Sequence, residues 1–133
     1  MSLEISPTSQ TSKLFLTLGG LNAALAVMLG AFGAHALKTR LPAEMLAVYQ
    51  TSVQYHFYHA RGLMLVGLAA MHWPASAHLK WSGGLMLAGI VLFCGSLYGL
   101  SVGELHWLGP VTPFGGIAFI AAWAAFVIAV IKS

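Results

Sequence analysis

The sequence predicts an all-α membrane protein: four transmembrane helices in a bundle, with a short interfacial amphipathic helix between the first and second spans. Three observations carry that expectation. Of 133 residues only 7% are charged and 59% are hydrophobic, against roughly 25% charged in a soluble globular domain. The mean hydropathy is +0.83. The charged residues and histidines cut the chain into apolar runs long enough to cross a hydrocarbon core about 30 Å thick, because each such residue is costly at the bilayer centre and is pushed to a span end.

The 15 Gly and 5 Pro show no period and no polar tract accompanies them, which excludes fibrous and disordered classes. The net charge of +3 is scattered. There is no basic patch for nucleic acid, and the lipid bilayer is the expected partner.

Residues 1–12 are polar, carry Pro7 and read as a flexible N-terminal tail, with Thr11 or Ser12 able to cap the first helix. Residues 13–133 read as a single domain. Its first span, 13–37, has nothing ionisable between Leu14 and Ala34. Ala34-His35-Ala36 has a small-x-small form, but the apolar run before it exceeds a secretory h-region of roughly 7–15 residues, so this is read as a retained helix. Pro42 and Glu44 are first-turn residues, and Met45, Val48, Tyr49 and Ser52 share a face at helical spacing. The segment 42–54 is therefore the interfacial helix, with the chain diving at Gln54–His56. The second span is 56–73 and the turn after it is Pro74–His78, flanked by the interfacial aromatics Trp73 and Trp81. The third span is 81–102 and the fourth 110–131.

Four spans place both termini on one side with Lys13, Lys80 and Lys132, against Lys38, Arg40 and Arg61 on the other. The positive-inside rule then assigns both termini to the cytoplasm by a narrow margin. Helices already in lipid associate through close backbone approach and a few polar contacts. The candidate packing positions are Gly30 and Gly33, Gly95 and Gly99 in a Gly95-x-x-x-Gly99-x-x-x-Gly103 seam, and Gly115 and Gly116; Gly20 belongs to the same set of small residues. The seam serves either the bundle or a homo-oligomer. Asn22, mid-span, is expected to hydrogen-bond across a helix interface. Cys94, the single cysteine, reads as a small buried side chain.

Sorting polar residues by membrane side gathers them at the non-terminal end of the bundle and predicts one polar pocket there, formed by His35, Tyr55, His56, His59, Ser96, Tyr98 and Thr112. His56 and His59 share a helical face at i, i+3 and with His35 form either a structural polar cluster, a metal or haem ligand set, or a proton-responsive or ligand-contacting group. No Cys-x-x-Cys pattern exists, no metal site is assigned, the cofactor is unknown, and no nucleophile, base and oxyanion set can be named. Arg61 either snorkels to the headgroups or pairs with an anion.

The strings Gly30-Ala31-Phe32-Gly33-Ala34-His35-Ala36-Leu37, Tyr55-His56-Phe57-Tyr58-His59-Ala60, Leu92-Phe93-Cys94-Gly95-Ser96-Leu97-Tyr98 and Thr112-Pro113-Phe114-Gly115-Gly116, with Trp123 beyond, resemble the domain-of-unknown-function 423 family of small bacterial membrane proteins, to which vertebrate transmembrane protein 256 is related. The resemblance implies a four-helix protein of the bacterial inner membrane and carries no activity with it. Family motifs fall on His35, His59, Ser96, Tyr98, Thr112, Pro113, Gly115 and Gly116. Arg61 departs from the family pattern, which has an aliphatic residue there, and His56 varies.

Three functional readings remain open. The first is a small structural or partner-binding membrane subunit, in contact with a membrane-protein partner or forming a homo-oligomer. The second is a small oligomeric transporter or carrier. The third is a histidine-dependent metal, haem or quinone protein. The first is favoured, and an enzyme is the less expected outcome.

Overall fold

A computed structural model describes residues 9–133, all of whose regular structure is helical. Residues 1–8 of the expected tail lie outside the described residues; residues 10–12 are already helix. α1 runs Gln10–Phe32, and Ser9 rather than Thr11 or Ser12 is its cap, its side chain accepting from the Ser12 backbone N–H at 3.1 Å. The helix continues as a π-helical turn over Gly33–Leu37. α2 is Ala43–His72. α3, Ala77–Gly89, is capped by Ser76 Oγ on the Leu79 N–H. It passes through a second π-helical turn, Ile90–Cys94, into α4, Gly95–Val102, and forms one rod with it. A 3-10 turn, His106–Val111, leads into α5, Thr112–Lys132, with Pro113 in its first turn, where no N–H partner is needed.

Three helical stretches are long and apolar enough to cross a membrane: Gln10–Leu37, Ala77–Val102 and His106–Lys132. α2 is long enough, at 30 residues, but is more polar. It also corrects the sequence expectation. In place of an interfacial helix over 42–54, a break and a span over 56–73, one helix runs without interruption. Gln54–His56 contains no Pro or Gly to break it; Tyr49, Ser52 and His56 find partners on neighbouring helices, while Gln50 and Gln54 stay exposed.

α1 packs along α2 in antiparallel register, and α3 along α5. The α1–α2 register is set at glycines. A Cβ on Gly19 would come within 2.8 Å of the Ala60 carbonyl oxygen, one on Gly30 within 3.3 Å of Val53, and one on Gly33 would overlap the Tyr49 ring. Gly67 receives Leu16 in the same way. Across the bundle, Phe15, Leu63, Val66, Leu79, Met86 and Phe119 form much of the apolar core. Dispersion between these side chains and the close approach at glycine hold the helices, since burial from lipid supplies little.

Of the predicted packing glycines, Gly30, Gly33 and Gly115 sit at helix contacts. Gly99 instead receives Leu108 from the 3-10 turn, and Gly116 makes only an ordinary contact with Phe93. Gly95 and Gly20 face open space, so the 95–99–103 seam does not join helices of the bundle. The inward face of α4 is instead the one carrying Ser96 and Ser101, both buried.

α4 ends with the Leu105 N–H donating to the Gly99 carbonyl at 3.2 Å and with Glu104 at φ 54. This is the left-handed position that closes many helices and that glycine occupies without penalty. Glu104→Gly is therefore expected to stabilise the protein by about 1 kcal/mol. Unfolding in mixed micelles measures this, and an unchanged or lowered midpoint contradicts it.

Candidate functional site

α2 starts at Ala43, so His56 lies about 20 Å along it at about 1.5 Å per residue. The register with α1 puts His56 and His59 level with the middle of Gln10–Leu37, not at a bundle end. Both are buried, at 2% and 5% exposure.

Their hydrogen bonds are directional. Asn22 donates from Nδ2 to the Leu18 carbonyl at 2.8 Å, which turns its Oδ1 toward His56 Nε2 at 2.9 Å. Oδ1 can only accept, so Nε2 carries the proton; Nδ1, 3.0 Å from the Tyr98 hydroxyl, is then the acceptor. The chain reads Tyr98 O–H to His56, His56 N–H to Asn22, Asn22 N–H to backbone, and it joins α4, α2 and α1. His59 has the opposite tautomer. Its Nδ1–H donates to the Tyr55 carbonyl at 2.7 Å, and Nε2 accepts from the Trp123 indole N–H at 3.1 Å, which ties α5 to α2. Its ring lies on Phe119, with centroids 3.5 Å apart and planes at 11°. Each imidazole in its neutral form has one donor and one acceptor, and each has one partner for both.

Hydroxyl groups on α2 add two further ties. Ser52 Oγ donates to the Cys94 carbonyl at 2.8 Å, and the Tyr49 hydroxyl donates to the Leu29 carbonyl. The Cys94 carbonyl lies at the end of the second π-helical turn, and the Leu29 carbonyl accepts the Gly33 N–H as well as the Tyr49 hydroxyl. Ser82 Oγ likewise donates to the Ala122 carbonyl at 2.7 Å, between α3 and α5.

The residues of the predicted pocket therefore separate. His56 and Tyr98 are directly bonded, with Tyr49 against the Tyr98 ring at 5.5 Å. His59 and Tyr55 form a second group with Phe93, Phe119 and Trp123; Tyr55, half-exposed, lies 4.7 Å from Phe93. Ser96 and Thr112 form a third, with oxygens 2.6 Å apart and Ser96 donating to the Phe93 carbonyl, so that Thr112 donates to Ser96. His35 joins none of these. It is exposed on the first π-helical turn, because the mid-bundle depth of His56 and His59 leaves it at the far end of α1. Cys94 is buried. Among the described residues no three His, Cys, Asp or Glu side chains come together as a metal centre. Sequence reasoning missed Phe119, and it noted Trp123 only as part of a family string. The indole N–H in an apolar helix was a usable signal, since a buried Trp nitrogen requires an acceptor.

A second polar feature lies on the outside. Gln50, Gln54, Tyr58 and Arg61 are exposed along one face of α2. The first three line a groove of about 580 Å³ between α1 and α2, whose other walls include Ala26, Val27, Gly30, Ala31, Ala34, Val53 and Phe57. Arg61 lies outside the groove's lining and borders an adjoining hollow with Met64 and Leu65, which shares Tyr58 with the groove. Its guanidinium lies 4.8 Å from the Phe57 ring centroid and 5.8 Å from that of Tyr58. Helical side chains lean toward the helix N-terminus, so the charge is carried toward the middle of the bundle. Snorkelling to the nearer end would point the opposite way.

A family model described as "Protein of unknown function (DUF423)" matches residues 29–116. The chain is 51% identical over 120 residues to the UPF0382 membrane protein YwdK of Bacillus subtilis, covering 90% of this chain and 98% of that one. It is 42% identical to a UPF0382 membrane protein of Staphylococcus epidermidis and to UPF0382 membrane protein SSP2132 of Staphylococcus saprophyticus; each match covers 90% of this chain and at least 97% of the relative. No solved structure matches.

Proposed function

We propose, from the premise that this chain belongs to the DUF423 family of membrane proteins, that it is a small partner-binding subunit of the bacterial inner membrane whose contact surface is the outer face of α2. In this reading α2 crosses the bilayer with the other three rods. Both termini then face the cytoplasm, since Arg61 at mid-depth counts for neither side and Lys13, Lys80 and Lys132 outnumber Lys38 and Arg40.

The observation that supports the reading is the exposure of Gln50, Gln54 and Arg61 on a helix whose neighbours are apolar. Polar and charged side chains facing hydrocarbon are costly and occur where protein or water covers them. The interior histidines play a different part: their ring nitrogens are occupied by Asn22, Tyr98, Tyr55 and Trp123. They join α2 to the rest of the bundle and so hold its outer face in place.

Site-specific photocrosslinking in bacterial membranes tests this. A photoreactive residue at position 54 is expected to yield a discrete protein adduct, and one at the exposed Ile117 on α5 to yield only lipid. Lipid adducts alone from position 54 would overturn the reading.

A further inference from the structure

We propose that the α1–α2 groove receives a transmembrane helix of a different protein bearing a carboxylate near its middle, with Arg61 as the counter-charge. This rests on the partner-binding reading and specifies the partner's chemistry.

Depth restricts the source of the opposite charge. Arg61 lies across from about residue 21 of α1, close to the midpoint of Gln10–Leu37, and its guanidinium leans further toward the middle over Phe57. Phosphate headgroups lie at the bilayer surfaces, about 15 Å away in a core about 30 Å thick. A lipid anion at its ordinary depth is thus the wrong source of charge. The described carboxylates of this chain, Glu44 and Glu104, stand at the opposite end from Lys13, and Glu44 is about 25 Å up α2 from Arg61 at about 1.5 Å per residue. A second copy inserted in the same orientation would bring another Arg61 to the same depth, so that like charges meet. The complementary group has to come from elsewhere.

The groove fits a helix. Val27, Gly30, Ala31 and Ala34 follow i, i+3, i+4, i+7 spacing along its α1 wall, and three of them are small enough for close backbone approach. Gln50 and Gln54 on the facing wall supply amides for hydrogen bonds across the interface. Arg61 gives the planar fork that pairs a carboxylate through two parallel bonds.

The test uses the full-length protein in phosphatidylcholine vesicles, labelled with an acceptor dye at Ser133→Cys; the native Cys94 is buried. Donor-labelled Leu/Ala transmembrane peptides carry Glu, Gln or Leu at the central position. Energy transfer is expected to show the Glu peptide binding about tenfold tighter than the Leu peptide. That preference should vanish in Arg61→Leu, whose exposed position leaves the bundle packing intact, and Arg61→Glu should instead prefer a Lys-centred peptide. Ala31→Trp, which fills the groove, should abolish binding of every peptide. Equal binding of Glu and Leu peptides, a Glu preference surviving Arg61→Leu, or binding unaffected by Ala31→Trp would each overturn the proposal. In the crosslinking experiment, a captured partner without an acidic residue in its spans, or a captured second copy, overturns this inference alone. Capture of no protein overturns the partner-binding reading with it.

Discussion

Replacing His56 with leucine is expected to lower the unfolding free energy by about 2 kcal/mol or more, although leucine fills a similar volume. The substitution leaves Asn22 Oδ1 and the Tyr98 hydroxyl without their partner. A buried polar group stripped of its bond costs roughly 1–3 kcal/mol. Hydrogen bonds between membrane helices average only about 0.6 kcal/mol, because the unfolded chain in lipid finds other partners. Two orphaned groups at mid-depth, away from headgroups and water, outweigh that compensation. The diagnostic measurement is a double-mutant cycle by unfolding in mixed micelles: Asn22→Leu should cost clearly less in the His56→Leu background than alone. A loss below about 0.5 kcal/mol, or strict additivity, would show that the chain does not act as a unit.

The second large effect concerns backbone approach. Gly115→Ala is expected to destabilise by about 2–3 kcal/mol, because a Cβ there overlaps the Phe93 backbone nitrogen and would sit 2.6 Å from its Cα. Backbone in the middle of a helix has no rotamer with which to yield, so α5 has to move off its neighbour. Gly95→Ala, one of the residues of the same family strings, is expected to be neutral or stabilising by about 0.5–1 kcal/mol, since its Cβ meets nothing within 4 Å and alanine is the better helix former. Equal melting shifts for the two variants would contradict this assignment of the packing face.

The apolar runs delimited by charge were legible from residue order, and the rods at Gln10–Leu37, Ala77–Val102 and His106–Lys132 follow them closely. Asn22 was legible as well, because an amide in the middle of an apolar run must find a partner. Two things were not. α2 carries too many polar residues to read as a long straight helix, and what makes it one is tertiary: Tyr98, Asn22, Trp123 and two backbone carbonyls, far away in sequence, supply the partners for Tyr49, Ser52, His56 and His59. Placing the helix break at Gln54–His56 shifted the expected depth of both histidines, and the pocket drawn at the bundle end came from that shift. The π-helical turn over Ile90–Cys94 leaves no signature in a 3.6-residue wheel. The four-residue spacing of Gly95, Gly99 and Gly103 likewise does not say which face of α4 turns inward, and that face carries Ser96 and Ser101, both buried, while Gly95 looks outward.

The opposite tautomers of His56 and His59 also bear on how the protein stands in an energised membrane. A potential of 100 mV acts on each elementary charge in its path with about 2.3 kcal/mol. Two imidazoles that are each matched as uncharged rings present no charge to it. Among the described residues only Arg61 brings a full charge to that depth, and it does so on the outer face of α2. Among the described residues the field therefore acts at that depth on one full charge, and it does work there only when that charge changes depth.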